Sequence, residues 1–330
     1  MKVVIYNSKQ YDKDYFNAAN QDGQHDLVFL EAKLSYETAL LTENAEAICV
    51  FVNDAIDENI IIRLAERKVR LIALRCAGFN NVDLVAAKKH AIKVVRVPAY
   101  SPNAVAEYTV GIMLALNRRI HRAYCQVREG NFSLKGLLGF DMANKTAGII
   151  GTGKIGSLVV RTLRAMGMRV LVYAPHVNPD CIKDGANYVD LDTLFSESDI
   201  ISLHCPLIAD THHIINAPAI EKMKSGVMII NTSRGAVVDT TAVIAGLKSG
   251  KIGMLGLDVY EQEEDLFFED HSYEVITDDV FERLLTFPNT LITAHQGFFT
   301  SDAMTNIAET TLFNISQYEN NSDKLDNEVL

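Results

Sequence analysis

Three side chains that could together reduce a carbonyl group stand just past apolar, strand-like runs in the second half of this 330-residue sequence. His295 follows LITA, Arg234 lies in IINTSRGAVVD just past VMIIN, and Glu263 lies in GLDVYEQEEDLF just past GMLGL. A histidine can exchange a proton with a substrate oxygen near neutral pH. A guanidinium presents a planar fork to a carboxylate and polarises the carbonyl beside it. A glutamate next to the imidazole stabilises its protonated form, raising its pKa above the ordinary value of about 6.5. Singly, each residue also reads as a structural histidine or a surface charge. At three successive strand ends they read as the acid/base, anchor and orienting acid of a dehydrogenase.

Such a site needs a hydride donor, and the sequence offers a place for one. Gly151, Gly153 and Gly156 form GTGKIG directly after the strand-like TAGII and at the start of a helix-like run. The first glycine permits a tight turn, the second lets backbone N–H groups approach a pyrophosphate, and the third allows close helix–strand packing. The phosphates would then sit on a helix N-terminus. At the end of the next strand, RVLVY, where an acid usually holds the adenosine ribose of NAD, the sequence has Ala174. That substitution predicts NAD with NADP also admissible, although the following PHVN supplies only His176 as a nearby cation.

The elements needed to position these residues are legible as alternating apolar runs and amphipathic segments, the pattern of parallel sheets with crossover helices. The first series is VVIY (3–6), LVFL (27–30), AICVFV (47–52), RLIAL (70–74) and KVVRV (93–97). The second is TAGII (146–150), RVLVY (169–173), DIISL (199–203), VMIIN (227–231), GMLGL (253–257) and LITA (291–294). This predicts an α/β protein whose central six-stranded dinucleotide-binding domain, residues 101–296, is inserted into a substrate domain of residues 1–100 and 297–330. AVAEYTVGIMLALNRRI predicts one long helix, EQEEDLFFEDHSYEVITDD an acidic inserted loop, and NNSDKLDNEVL a frayed tail.

Composition excludes several function classes. Lys and Arg total 31 against 42 Asp and Glu, a formal charge of -11, which disfavours nucleic acid or an anionic membrane as partner. The short apolar start MKVVIY is not a secretory signal, and no apolar run reaches membrane-spanning length, so the expected location is the cytoplasm. Five scattered cysteines without a CxxC pair suggest neither disulfides nor zinc. No metal is expected either at His204, His212 and His213, because the latter two are adjacent and no spaced carboxylate accompanies them in sequence.

In order along the chain, LRCAGFNNVDL, RVPAYSPNAVAEYTVGIMLALNRRIHRAY, GIIGTGKIG, LHCPL, NTSRG, GLDVYEQEEDLFFED and TAHQGFFT resemble the D-isomer-specific 2-hydroxyacid dehydrogenases over nearly the whole length. Within them the sequence is most similar to the fermentative D-lactate dehydrogenases. The resemblance implies two doubly wound parallel-sheet domains, a Rossmann domain inserted into a flavodoxin-like one, and reversible reduction of pyruvate to D-lactate by NADH. It implies Arg234, Glu263 and His295 as the catalytic residues. For the substrate it implies the backbone at Ala77 and Gly78, with Tyr100, Phe298 and Phe299 bounding the pocket. For the cofactor it adds Lys154, Ile155, Cys205, Pro206, Thr211, Thr232, Ser233 and Asp258 to the glycines. A homodimer or dimer of dimers through the AVAEYTVGIMLALNRRIHRAY region is also implied. Two alternatives remain open at this point: a dehydrogenase for another short D-2-hydroxy acid, and a non-enzymatic NAD(H)-sensing protein of the same fold. Besides Ala174, two positions depart from the family pattern. Gly297 stands where alanine is usual and is expected to loosen the nicotinamide side of the pocket. Tyr108 replaces a histidine and is expected to affect packing between domains.

Overall fold

The computed structural model describes residues 1–320 and 324–329, in two compact units, Met1–Ser101 with Phe299–Leu330 and Pro102–Phe298. The first unit holds β1 (Lys2–Ile5), α1 (Gln10–Ala19), β2 (Asp26–Phe29), β3 (Ala47–Val50), α2 (Glu58–Glu66), β4 (Leu71–Leu74), α3 (Leu84–Lys89) and β5 (Lys93–Val95). The second begins with α4 (Pro102–Asn117) and α5 (Ile120–Arg128). It continues through β6 (Thr146–Ile150), α6 (Lys154–Ala165), β7 (Arg169–Tyr173), α7 (Pro179–Lys183), β8 (Asn187–Tyr188), α8 (Leu191–Glu197) and β9 (Ile200–Leu203). It ends with α9 (Ala217–Lys222), β10 (Val227–Asn231), α10 (Thr240–Ser249), β11 (Ile252–Leu257), α11 (Asp279–Leu285) and β12 (Thr290–Ile292), after which α12 (Ser301–Glu319) returns to the first unit.

Both sheets are wholly parallel. Their orders are β2-β1-β3-β4-β5 and β12-β11-β10-β9-β6-β7-β8, the flavodoxin-like arrangement and a doubly wound nucleotide arrangement with one strand added at its edge. The central strands AICV, LIAL, TAGII and VMIIN are buried at every residue, as strands covered by helices on both faces must be. The helices that follow start where a side chain can satisfy their first N–H groups. Asp57, Asp83, Asp190, Asp239 and Thr300 each accept from the backbone N–H three residues on. Helix α12 lays Ala308, Leu312 and Ile315 on the same core as Val3, Ile5, Leu71 and Val95, which explains why the chain returns to a sheet already built.

Four sequence expectations are corrected. The second sheet has seven strands rather than six, because the two-residue β8, with no apolar run of its own, pairs with β7 through Leu171–Asn187 and Val172–Tyr188. The long helix is two helices, since Arg119 adopts a left-handed φ of 52°. There the buried Asn117 side chain exchanges two hydrogen bonds with the backbone of Phe140, and Gly139 packs so closely that an added Cβ would lie 2.7 Å from the Asn117 carbonyl oxygen. The acidic stretch is anchored rather than a bare insertion: it opens with a 3-10 turn at Glu263–Asp265, and buried Phe267 meets Phe281 at 5.9 Å. Of the tail, residues 321–323 and 330 lie outside the described residues. The described part is tied down by a buried Leu325 and by Arg96 N–H to the Asn327 carbonyl (3.1 Å) and Val329 N–H to the Val94 carbonyl (2.9 Å).

Candidate active site

Strands β10, β11 and β12 are neighbours in the sheet, and the loops leaving their carboxyl ends carry Arg234, Glu263 and His295 in turn. His295 Nδ1 lies 2.7 Å from Glu263 Oε1, and the two side chains are 17% and 18% exposed, shielded enough for the pairing to matter and open enough to be reached. The other glutamate oxygen accepts from the Tyr260 N–H at 2.9 Å, so both oxygens are held and the carboxylate cannot swing away. Phe268 lies beside the imidazole, ring centroids 5.7 Å apart.

The His295 backbone is itself in the left-handed region, φ 50°, a conformation that costs a non-glycine residue free energy and must be over-determined by its surroundings. Asp258 supplies that determination. Its carbonyl accepts from the His295 N–H at 2.7 Å, and its buried carboxylate accepts from Thr293 Oγ1 (2.6 Å), Gln296 N–H (2.9 Å) and Gly297 N–H (2.8 Å). Burial pushes the Asp258 carboxyl above its ordinary pKa, against the opposing pull of these hydrogen bonds and of His295. Sequence reasoning placed Asp258 with the cofactor and missed its hold on the histidine loop. The available signal was an acid ending the apolar strand GMLGL.

Tyr108 lies on α4. Its ring lies against Gly297, where a Cβ would come within 3.2 Å of Cδ1 and 2.9 Å of Asp258 Oδ2, and its hydroxyl interacts with Thr293 and Gln296. Tyr108 and Gly297 are therefore packed against each other beside the loop of His295.

Arg234 opens the short turn after β10. Its Nη1 donates to the Ser233 carbonyl at 2.7 Å, while its own carbonyl accepts from the buried Asn231 side chain at 2.8 Å. Asn231 Oδ1 also takes the Ser233 N–H (3.0 Å) and hydroxyl (2.9 Å). Gly235 approaches the Tyr260 backbone so closely that a Cβ would lie 2.1 Å from its carbonyl carbon, which locks the arginine turn to the loop bearing Glu263. The Thr232 hydroxyl is engaged by Thr109 on α4 at 2.8 Å.

The glycine turn fits a dinucleotide. Gly151 has φ 98°, and a Cβ there would stand 2.5 Å from the His204 carbonyl oxygen; one on Gly156 would stand 2.0 Å from the Gly151 carbonyl oxygen. A Cβ on Gly153, by contrast, meets nothing within 4 Å: this is the face left open for phosphates, at the N-cap of α6, where no side chain caps the helix. Lys154 and Ile155 begin that helix. Tyr188 of β8 braces the turn, its hydroxyl donating to Thr152 Oγ1 at 3.0 Å, and Asn178 Nδ2 donates to the Thr152 carbonyl at 2.9 Å. Ala174 directly follows β7. After β9, His204 bonds to Ser202 Oγ at 2.9 Å, and desolvation pulls it down to about 4, so it is neutral. Burial pushes the adjacent Cys205 thiol up to about 11, leaving it an unreactive apolar wall. Thr211 Oγ1 closes the following loop through the Pro206 carbonyl and the Ile208 N–H.

In the other unit, the carbonyl of Ala77 accepts from Arg96 Nη1 at 2.8 Å, and that of Gly78 from Cys76 Sγ at 3.3 Å. The Tyr100 carbonyl accepts from Asn306, and Phe299 meets Tyr11 edge-on at 4.9 Å. Phe298, buried, ends the unit that holds His295. One further group was missed: Glu261 lies against His213, so the histidine pair His212–His213 does have a carboxylate beside it, supplied by β11's loop rather than by sequence neighbours.

Residues 110–297 match the family model described as D-isomer specific 2-hydroxyacid dehydrogenase, NAD binding domain. The sequence is 54% identical to the D-lactate dehydrogenase of Escherichia coli over 97% of each chain. Two solved structures resemble it throughout. The pyruvate reductase of Chlamydomonas reinhardtii has a TM-score of 0.94 at 44% identity, covering 99% of this chain and 98% of that one. The D-lactate dehydrogenase of Aquifex aeolicus complexed with NAD and lactic acid has a TM-score of 0.88 at 35% identity, with the same coverage. A glycine turn shaped for a dinucleotide, a held histidine–glutamate pair and likeness along the full length converge, and the chain belongs to the D-isomer-specific 2-hydroxyacid dehydrogenases.

Proposed function

We propose that this chain interconverts pyruvate and D-lactate with NADH and NAD, the activity carried in the names of its E. coli and A. aeolicus relatives. The observation that carries the proposal is the 2.7 Å contact between His295 Nδ1 and Glu263 Oε1, with the second glutamate oxygen fixed by the Tyr260 N–H. Glu263 holds Nδ1, which leaves Nε2 as the nitrogen that gives its proton to the keto oxygen and takes one from the hydroxyl in reverse. The Arg234 guanidinium pairs with the substrate carboxylate and polarises the carbonyl beside it. The nicotinamide, when bound, supplies the hydride. Asp258 keeps the His295 loop in its strained conformation through the reaction.

Ala174 supports acceptance of NADPH beside NADH, because no carboxylate at that position repels a 2′-phosphate. A homodimer is proposed through α5 and the segment after it. Tyr124, Val127, Phe132, Leu134 and Leu138 are 62%, 53%, 77%, 83% and 90% exposed there, an apolar surface of the kind that marks a protein interface. The deciding experiment is initial rates of pyruvate reduction with NADH and with NADPH. Turnover with NADH that is lost in His295→Gln supports the reading. Binding of NADH without turnover of pyruvate or its short homologues overturns it in favour of a sensing role.

A further inference from the structure

Among the described residues, one group of three potential metal ligands is brought together, and the reduction chemistry uses none of it. His212, His213 and Glu261 offer ligand atoms that all lie within 4.8 Å of one another. They come from two loops of the same unit, the one that leaves β9 and the one that leaves β11. Adjacent side chains in an extended chain point to opposite sides. Here His213 takes a left-handed φ of 52°, and the two imidazoles end stacked, centroids 3.9 Å apart and 24° between planes. The His213 N–H is fixed on the Ala236 carbonyl at 2.9 Å. His213 Nε2 stands 2.5 Å from Glu261 Oε1, and Glu261 Oε2 accepts from Thr240 Oγ1 at 2.9 Å. Two imidazoles and one carboxylate whose second oxygen is already oriented by a hydroxyl form the donor set and outer-shell support of a zinc-class site.

We propose that His212, His213 and Glu261 bind one divalent transition-metal ion of borderline softness, zinc being the best match, and that the ion clips the β9 loop to the β11 loop. The ion takes the place of the hydrogen bond between His213 Nε2 and Glu261 Oε1. Zinc sits about 2.0–2.2 Å from nitrogen and carboxylate ligands. The nitrogen–oxygen pair must therefore open by several tenths of an ångström. The exposed His212 ring must also leave its stacked position, because the lone pairs of parallel rings do not converge. Water completes the shell on the exposed side. Thr211 lies on the clipped loop, so zinc alters cofactor affinity if, as the functional reading holds, that loop contacts the dinucleotide. Zinc binding itself does not depend on that reading.

The test is competition for zinc between untagged full-length protein and a chromophoric chelator, with no substrate or cofactor present. One zinc per chain is expected, weakened at least 10-fold in His212→Ala and in Glu261→Gln, a loss typical of removing a ligand or its support. His212 is exposed, so His212→Ala is expected to keep the wild-type unfolding midpoint and the zinc-free rate of pyruvate reduction. Absence of a zinc equivalent in the wild type overturns the proposal, as does zinc binding of wild-type strength in His212→Ala, which would place the ion elsewhere. A zinc equivalent that depends on His212 but leaves the KM for NADH unchanged upholds the site and refutes only its link to the cofactor loop.

Discussion

Replacing Gly297 by alanine tests whether Tyr108 and Gly297 form one coupled pair beside the histidine loop. Gly297 is not in the left-handed region, so the backbone accepts alanine, and the added Cβ would lie 2.9 Å from Asp258 Oδ2, 3.2 Å from Tyr108 Cδ1 and 3.6 Å from its Cγ. The oxygen cannot retreat without losing the Gly297 N–H at 2.8 Å, and the ring is wedged on α4. Overpacking of this kind costs about 1–3 kcal/mol, and the reduced freedom of the unfolded chain returns about 0.4–1 kcal/mol. The net expectation is a loss of about 1–2 kcal/mol, with kcat/KM for pyruvate falling about tenfold or more as the loop of His295 is displaced. Tyr108→Ala removes the ring contacts and leaves only the one with Asp258 Oδ2, so Gly297→Ala in that background is expected to cost about 0.5–1 kcal/mol less than in the wild type. Denaturant unfolding and pyruvate kinetics of the wild type, both single variants and the double variant measure the coupling. A coupling energy below about 0.3 kcal/mol, the additivity expected of independent sites, would refute the coupled pair.

His295→Gln is expected to lower kcat for pyruvate reduction by about 10²–10⁴-fold while NADH binding, followed by fluorescence titration, stays at the wild-type level. Asp258 has a raised carboxyl pKa, so its contribution to stability is fully present below the ordinary aspartate range and is lost as pH rises through the raised value. The stability advantage of wild type over Asp258→Asn should therefore shrink as pH rises above the ordinary aspartate range in denaturant titrations, and a gap that widens with pH contradicts this. In the other unit, the fully buried Arg75 lies 3.4 Å from Asp12 Oδ1 and donates to the Tyr6 and Asn7 carbonyls, so Arg75→Met strands a buried carboxylate and should cost about 3–5 kcal/mol by equilibrium unfolding. Leu138→Glu on the exposed apolar segment should convert the proposed dimer to monomer in light scattering; an unchanged mass would remove that face from the interface.

The elements that carry the site were legible because each is specified locally. VMIIN, GMLGL and LITA are apolar runs of strand length, the acids and threonine that cap the helices stand next to them in sequence, and GTGKIG sits between a strand and a helix. Edge strand β8 escaped because two residues, Asn187 and Tyr188, carry no period, and their pairing with β7 is a tertiary fact. The break after α4 escaped for a similar reason: the apolar period runs on past Asn117, and only the packing of the Gly139–Phe140 backbone against that residue ends the helix.

Sequence by itself determined which residue types stand at the three strand ends and that a dinucleotide turn precedes them, because strand register and glycine conformation depend on near neighbours. Tertiary structure decided what holds them. Asp258 and His295 are 37 positions apart, Tyr108 and Gly297 far more, and the carboxylate that joins His213 comes from a different loop. Hydrogen bonds and close contacts of that kind form only between groups that folding brings within about 3 Å, and no spacing along the chain encodes them.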